Sequence, residues 1–230
     1  MNSSLKNIWA DSARLWAPVL KRVWPWLVFS ISLEEVFNYG VSYVGKSNPA
    51  MSLAAGVFAL FFDLLLSAVG VVIINQIIFK VIKKTESSTF SDLKNNLKYI
   101  LIETTRALLP IILKTMLFIV PGLVEAVRLY FVAYVAQFNL EYKAGKVDAL
   151  DRSRSLVRNR FWVITGILIL TAALSMVPQF YLESIDLVGH PGFYIAIFWL
   201  RLCFELYSDI VLFSTYIRLE ELNGDSVSLP

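Results

Sequence analysis

Long apolar runs, each bounded by short polar segments, follow one another along most of this chain. Each run is close to the roughly 20 apolar residues that a helix needs to cross the hydrocarbon core of a bilayer. The pattern therefore predicts an all-α fold, a polytopic helical membrane bundle with about six transmembrane helices. The predicted spans are residues 23–44, 51–79, 98–120, 123–141, 160–180 and 193–217.

Amphipathic segments precede some of these runs. In residues 1–22, apolar residues such as Ile8, Trp9 and Trp16 recur at roughly helical spacing, which predicts a helix that lies in the membrane interface. A second amphipathic segment lies around residues 147–157. We therefore divide the chain into an N-terminal amphipathic interfacial segment (1–22), a six-span transmembrane domain (23–218) and a short cytoplasmic tail (219–230).

Basic residues are distributed unevenly between the two sides of the predicted bundle. The segment before the first span is rich in Lys and Arg, and so are the connections between spans two and three and between spans four and five. The loops on the other side contain a single Lys or Arg, which is Lys46. Because cationic loops stay in the cytoplasm, both termini are predicted to be cytoplasmic (N-in/C-in).

Composition agrees with a membrane protein. Hydrophobic residues make up 57% and charged residues 17% of the chain, whereas soluble domains have roughly 45–50% and about 25%. With Cys203 as its one cysteine and His190 as its one histidine, the chain lacks the residues for an internal disulfide or a zinc site of paired His and Cys. Local catalytic motifs and phosphate loops are absent from the sequence. We predict no enzyme activity, no cofactor and no metal. We also predict no nucleic-acid partner, because the basic residues are distributed among the loops by membrane topology and do not form a folded basic face.

Several ionisable residues fall inside the predicted spans. A charge at the bilayer centre costs about 2.5–3.5 kcal/mol, so such residues usually face protein or water. Residues three or four apart share a helix face, as Glu103 and Arg106 do. Glu125 and Arg128 have the same spacing, and they either neutralise one another or pair with another helix. Arg201, Glu205 and Asp209 likewise form a row at positions i, i+4 and i+8 of the sixth span. The predicted polar membrane centre consists of Asp63, Glu125, Arg128, Arg201, Glu205 and Asp209.

This polar centre has two interpretations. In the first, the ion pairs are structural and determine the order and register of the helices. In the second, they surround a polar cavity for an ion, a solute or a lipid headgroup. Asp63 favours the second interpretation, because no basic residue lies within one helical turn of it.

Two further sets of residues have predicted roles. Pro121 lacks an N–H and Gly122 tolerates a tight reversal, so we predict a two-residue hairpin there, between the third and fourth spans. Four arginines occur in the amphipathic segment before the fifth span, where they either serve only topology or also contact anionic lipid. They are Arg152, Arg154, Arg158 and Arg160.

Residues 121–170 read PGLVEAVRLYFVAYVAQFNLEYKAGKVDALDRSRSLVRNRFWVITGILIL. The distinctive pieces are Pro121-Gly122, Arg128, the tripeptide at 148–150, Ser153, Leu156 and Phe161-Trp162. In these pieces the stretch resembles the membrane domain of certain glycerophosphoryl diester phosphodiesterases and related uncharacterised bacterial inner-membrane proteins. The resemblance implies a helical bundle in a bacterial inner membrane. It does not imply phosphodiesterase activity, which would need an attached soluble barrel of about 250 residues.

These observations predict a multi-pass, non-enzymatic protein of the bacterial inner (cytoplasmic) membrane. We expect it to organise or bind lipid or partner proteins and to contribute to envelope maintenance. The expected partners are membrane lipids, anionic lipids among them, and either a protein partner or a second copy of the chain. The alternative is a small transporter or channel for an ion, a solute or a lipid, in which Asp63 and the charges of the sixth span line the route.

Overall fold

The computed structural model of the chain describes residues 7–47, 52–83, 89–184 and 191–223. These residues form α-helices and no strand, which confirms the all-α class. The helices in chain order are α1 (Ile8–Ser47), α2 (Ser52–Lys83), α3 (Thr89–Leu117), α4 (Ile119–Leu129), α5 (Val132–Phe138), α6 (Leu140–Lys143), α7 (Ala149–Arg158), α8 (Phe161–Ser184) and α9 (Pro191–Leu222).

The chain folds into two compact units. The main unit comprises Met1–Trp16 with Lys94–Pro230, and the second unit comprises Ala17–Leu93. Within the second unit, Phe37 of α1 stacks on Phe62 of α2 with ring centroids 4.0 Å apart. Asp63, a member of the predicted polar centre, belongs to α2, but its side chain lies outside the part of the chain that the structure describes.

An aromatic cluster forms the centre of the main unit. Tyr134 of α5 lies 5.9 Å from Phe213 and 5.6 Å from Tyr216 of α9, measured between ring centroids. Phe138 of α5 and Phe131, the residue directly before α5, belong to the same cluster. All of these rings are buried, and each buries roughly 150–250 Å². Because α7 packs on α4 and α5, and α8 packs along α9, these helices surround one core.

The N-terminal residues pack against α9 in this core. Ile8 is buried against Val211, the Tyr207 hydroxyl donates to the Trp9 carbonyl at 3.0 Å, and Asp11 pairs with Arg218 at 3.0 Å. Helix α1 continues through residue 22 without a break. The apolar side of its first turns contacts protein, and the division of the chain at residue 22 stays a prediction.

The predicted tail begins inside the last described helix. Helix α9 continues to Leu222, and Glu220 is fully buried in the main unit. A tail beginning at residue 219 would divide this helix. Residues 224–230 lie outside the described part of the chain.

The reversal between α3 and α4 occurs at Phe118, whose backbone is extended (φ −156°, ψ 134°). The predicted hairpin at Pro121-Gly122 is thus displaced by about one turn, and both residues belong to the first turn of α4. A proline is tolerated there because first-turn N–H groups have no partner within the helix. The predicted reason for Gly122 is tolerance of a tight reversal. In the structure the reason is the close approach of α3, since a Cβ at this position would lie 2.7 Å from the Cα of Thr115.

Among the described residues, two helical stretches, Ile119–Phe138 and Phe161–Pro178, are long and apolar enough to cross a membrane. Large apolar side chains also point away from the protein on α3 and α8, as Leu109, Met116, Ile169 and Phe180 do. These features are those of a membrane-associated helical protein. The arrangement of six crossing helices remains a prediction.

Candidate functional site

Helix α7 is the element on which the charged residues of the main unit converge. Its start is determined locally: Gly145 has a left-handed φ of 70°, which glycine adopts without strain. Asp148 is the N-cap and accepts from the backbone N–H groups of Leu150 at 2.8 Å and Asp151 at 3.4 Å. Such a cap stabilises a helix by about 1 kcal/mol. Leu150 is buried on one side of α7, and Asp151 is exposed on the other.

Glu125 of α4 is one of the enclosed carboxylates of this group, with 1% of its surface exposed. Arg154 of α7 donates from Nε and Nη2 to its Oε1 at 3.0 and 2.7 Å. Lys114 of α3 donates to its Oε2 at 2.7 Å. One buried carboxylate therefore joins three helices through two cations.

A second chain of ion pairs runs from α3 to the start of α7. Glu103 is buried and accepts from Arg106 at 2.8 Å on both oxygens, so the pair expected from the sequence spacing is present. Arg106 also donates to Asp148 at 2.8 Å, and the Tyr142 hydroxyl donates to Glu103 at 3.0 Å. Arg106 thus connects α3 to the N-cap of α7.

The third connection joins α7 to the end of α9. Arg152 forms an ion pair with Glu220, and the Asn139 side-chain amide donates to the same carboxylate at 3.2 Å. The Glu220 side chain is 1% exposed and the Arg152 side chain 13%. Since an isolated buried carboxylate is strongly unfavourable, Arg152 is a structural partner of α9.

The ion pairs perturb the titration of the groups on and beside α7. Burial raises the pKa of Asp148, but the hydrogen bonds from Arg106 and from the backbone of α7 outweigh it and hold the pKa below its usual value. The hydrogen bond to Glu125 raises the pKa of the Arg154 guanidinium. Burial and the hydrogen bond to Glu103 raise the pKa of Tyr142 to about 12. All of these groups keep their usual protonation states at neutral pH.

A cavity of about 420 Å³ lies between α4, α8 and α9. Its polar lining residues are Tyr130, Thr171, Glu205, Ser208 and Asp209. Glu205 accepts from Arg201 at 2.7 Å, so these two residues of the predicted row do pair. The Asp209 carboxylate forms no ion pair or hydrogen bond with the described residues. A carboxylate beside several hydroxyl groups can receive a cation, an amine or water.

The other predicted residues have different surroundings. Arg128 does not pair with Glu125: its side chain is exposed and forms no ion pair with the described residues. Its backbone carbonyl instead accepts from the Ser153 hydroxyl at 2.8 Å. Glu125 therefore follows the second sequence alternative, pairing with other helices. Arg158 is exposed and Arg160 is half-buried, so of the four arginines these two remain available for the predicted contact with anionic lipid.

Sequence reasoning did not assign the partners that matter most here. Lys114, Asp148 and Glu220 bind residues 11 to 68 positions away in the chain, and helical spacing reports only neighbours three or four residues apart. One signal was available. An aspartate directly before an amphipathic run is typical of an N-cap, and Asp148 stands in that position.

In the part of the chain that the structure describes, no group of three or more His, Cys, Asp or Glu side chains could hold a metal ion. Comparison of the chain with protein-family models, curated proteins and solved structures gives no match.

Proposed function

We propose that this chain is a non-enzymatic integral protein of the bacterial inner membrane that organises or binds lipid or partner proteins. The observation that carries the proposal is the opposite placement of charged and apolar side chains in the main unit. Glu103, Glu125 and Glu220 turn inward to cationic partners. Large apolar side chains such as Leu109 and Ile169 turn outward.

This arrangement lowers the free energy of the protein in hydrocarbon and raises it in water. An ionised side chain inside a membrane needs a partner from the protein, and the three carboxylates have such partners. In water, a contiguous exposed apolar surface on a monomer usually marks a partner or a membrane. Helices α3 and α8 both carry such a surface, which favours lipid as the surrounding medium.

Lipid recognition is assigned to the end of α7 and the start of α8. Arg158 is exposed there, and Trp162 is 81% exposed. Tryptophan favours the headgroup region, and a nearby arginine attracts anionic headgroups. Arg152 and Arg154 already bind carboxylates of the protein, so we expect them to contribute less to lipid binding.

The test is lipid copurification after gentle extraction, measured by mass spectrometry. Arg158→Gln with Arg160→Gln should lower the share of anionic lipid that copurifies. The matched control is Lys98→Gln with Lys146→Gln, which removes the same charge from two exposed positions and should leave the share unchanged. If the wild type and both variants copurify the same share of anionic lipid, the two arginines serve only to orient the protein in the membrane. Recovery of the chain in the soluble fraction without detergent would reject the membrane proposal itself.

The cavity beside Asp209 supports the second candidate, a small transporter or channel. In that case Asp209→Asn should abolish the flux of a monovalent cation or a small amine into proteoliposomes without lowering the amount of reconstituted protein. Leu200→Met, an exposed apolar position on the same helix, is the control. Absence of flux in the wild type would reject a role for this cavity in the transport of these solutes.

A further inference from the structure

The tip of the α3–α4 hairpin is apolar and strongly exposed. The five consecutive residues from Met116 to Val120 each expose 69–80% of their surface. Leu123, on the next turn of α4, is also exposed. An uninterrupted apolar surface of this kind is unfavourable in water.

Part of the backbone of the tip is hydrogen-bonded within the hairpin, although the first-turn N–H groups of Ile119 and Val120 have no backbone partner there. Each unsatisfied backbone group costs several kcal/mol in hydrocarbon. At the reversal, the N–H of Phe118 donates to the Lys114 carbonyl at 2.9 Å, and the N–H of Gly122 donates to the Phe118 carbonyl at 3.3 Å. Pro121 has no N–H to satisfy. The Thr115 hydroxyl donates back to the Ile111 carbonyl at 2.8 Å.

The polar helix α7 shows how deep this tip can lie. It is attached to α3 through the Arg106–Asp148 ion pair and to α4 through the bond from Ser153 to the Arg128 carbonyl. At 1.5 Å per residue, Phe118 is about 18 Å from Arg106 along α3 and about 15 Å from Arg128 along α4. Each of these distances is about half of the roughly 30 Å hydrocarbon core, and the nearest attachment, Arg154 of α7 to Glu125, lies about 10 Å from Phe118 along α4.

Helix α7 itself belongs in water or in the headgroup region. Its outer side carries Asp151, Ser155 and Arg158, all exposed, and such residues are excluded from lipid contact within the core. The second half of the candidate span Ile119–Phe138 is covered by protein, since Val132 and Val135 are buried. The length and apolar character of this stretch alone would allow it to cross the bilayer. The polar helix α7, however, lies beside the middle of the stretch, where the hydrocarbon core would be.

Basic residues of α3, α4 and α7 lie near the base of the apolar tip. Lys114 and Arg154 bind Glu125, yet their side chains remain 44% and 38% exposed. Arg128 is exposed on the same stretch of α4. Long basic side chains extend along apolar surface and place their charge among headgroups, so this charge distribution complements the phosphates of a lipid leaflet.

We propose that the α3–α4 hairpin enters the bilayer from the side on which α7 lies, reverses near the midplane at Phe118, and returns to the same side. Its exposed apolar tip contacts the acyl chains of one leaflet. The inference rests on the membrane location in the proposed function. It replaces the predicted crossings at 98–120 and 123–141, and because two crossings disappear together, both termini stay on one side.

The experiment uses the full chain in membrane vesicles, with the native cysteine removed by Cys203→Ala. Phe118→Cys reports on the tip, and Ser155→Cys reports on α7. A membrane-impermeant maleimide should label position 155 from one face and position 118 from neither face until detergent is added. A nitroxide at position 118 should collide freely with oxygen, which dissolves in hydrocarbon, and rarely with a water-soluble nickel chelate.

Each other outcome overturns the inference. Labelling of position 118 from the face opposite position 155 means that the hairpin crosses the membrane, and labelling from the same face means that the tip lies in water. Low collision rates with both oxygen and nickel mean that protein covers the tip. If the chain is released from the vesicles without detergent, it is not an integral membrane protein and the proposed function is rejected. This result differs from opposite-face labelling, same-face labelling and low collision rates, which reject only the inference about the hairpin.

Discussion

Neutralising Glu125 should destabilise the protein far more than changing Arg128, although the two residues lie one turn apart. Glu125 accepts three hydrogen bonds from Arg154 and Lys114, and a hydrogen bond to a charged group contributes about 1.5–3 kcal/mol when it is buried. Because both cations remain 38–44% exposed, they can recover part of their hydration. We therefore expect Glu125→Gln to cost about 3 kcal/mol, the lower end of the range for a broken buried pair.

A loss of about 3 kcal/mol lowers the folding equilibrium constant roughly 100-fold. The assay is reversible unfolding in detergent micelles with increasing denaturant, followed by tryptophan fluorescence. Arg128→Gln is the matched control, and as an exposed position it should change stability by less than about 0.5 kcal/mol.

A double-mutant cycle with Arg154→Met tests the contact itself. The coupling between positions 125 and 154 should be about 1–2 kcal/mol, within the range of directly contacting residues. Equal effects of Glu125→Gln and Arg128→Gln, or a coupling near zero, would refute the assignment of Glu125 as the junction of α3, α4 and α7.

Three further changes test other parts of the main unit by the same unfolding assay. Gly122→Ala should destabilise by about 1–3 kcal/mol because its Cβ has no room against α3, whereas Gly166→Ala, with open space around it, should be neutral or slightly stabilising. Burial raises the pKa of Asp148, but its hydrogen bonds lower it more, so the ionised form contributes its full stability above the usual pKa of about 3.9 and loses it as the pH falls through the lower folded value. Asp148→Asn should therefore destabilise most above about pH 4 and progressively less below it. Arg152→Met should cost about 3–5 kcal/mol by stranding Glu220, and a loss as small as that of a surface change would contradict the buried pair.

The helical class and two ion pairs followed from the sequence because both are local properties. Apolar runs of membrane length require helices, and the spacing of Glu103 with Arg106 and of Arg201 with Glu205 placed each pair on one face. These contacts are present in the structure. Local periodicity was sufficient for these two pairs because both partners of each belong to the same helix.

The partners of Glu125 could not be derived in the same way. Spacing made Arg128 its nearest cation, but Arg128 points outward, and the cations that reach the carboxylate come from α3 and α7. Which helices meet depends on packing over the whole unit, and local spacing carries no information about that. The reversal was likewise displaced from Pro121-Gly122 to Phe118, because a proline can occupy the first turn of the helix that follows.

In the proposed arrangement, the charges in the apolar stretch at 121–135 connect the stability of the unit with its place in the membrane. Glu125 attaches the hairpin to α7, and α7 carries its polar side toward water. The same contact limits how far the hairpin can enter the lipid, because drawing Phe118 deeper would draw α7 into hydrocarbon. Ionised residues on α7 would then cost about 2.5–3.5 kcal/mol each. If the hairpin enters the bilayer as proposed, the ion pairs at Glu125 and Asp148 determine its depth. Weakening either pair should then let the tip move relative to the leaflet, and the nitroxide at position 118 would report that movement.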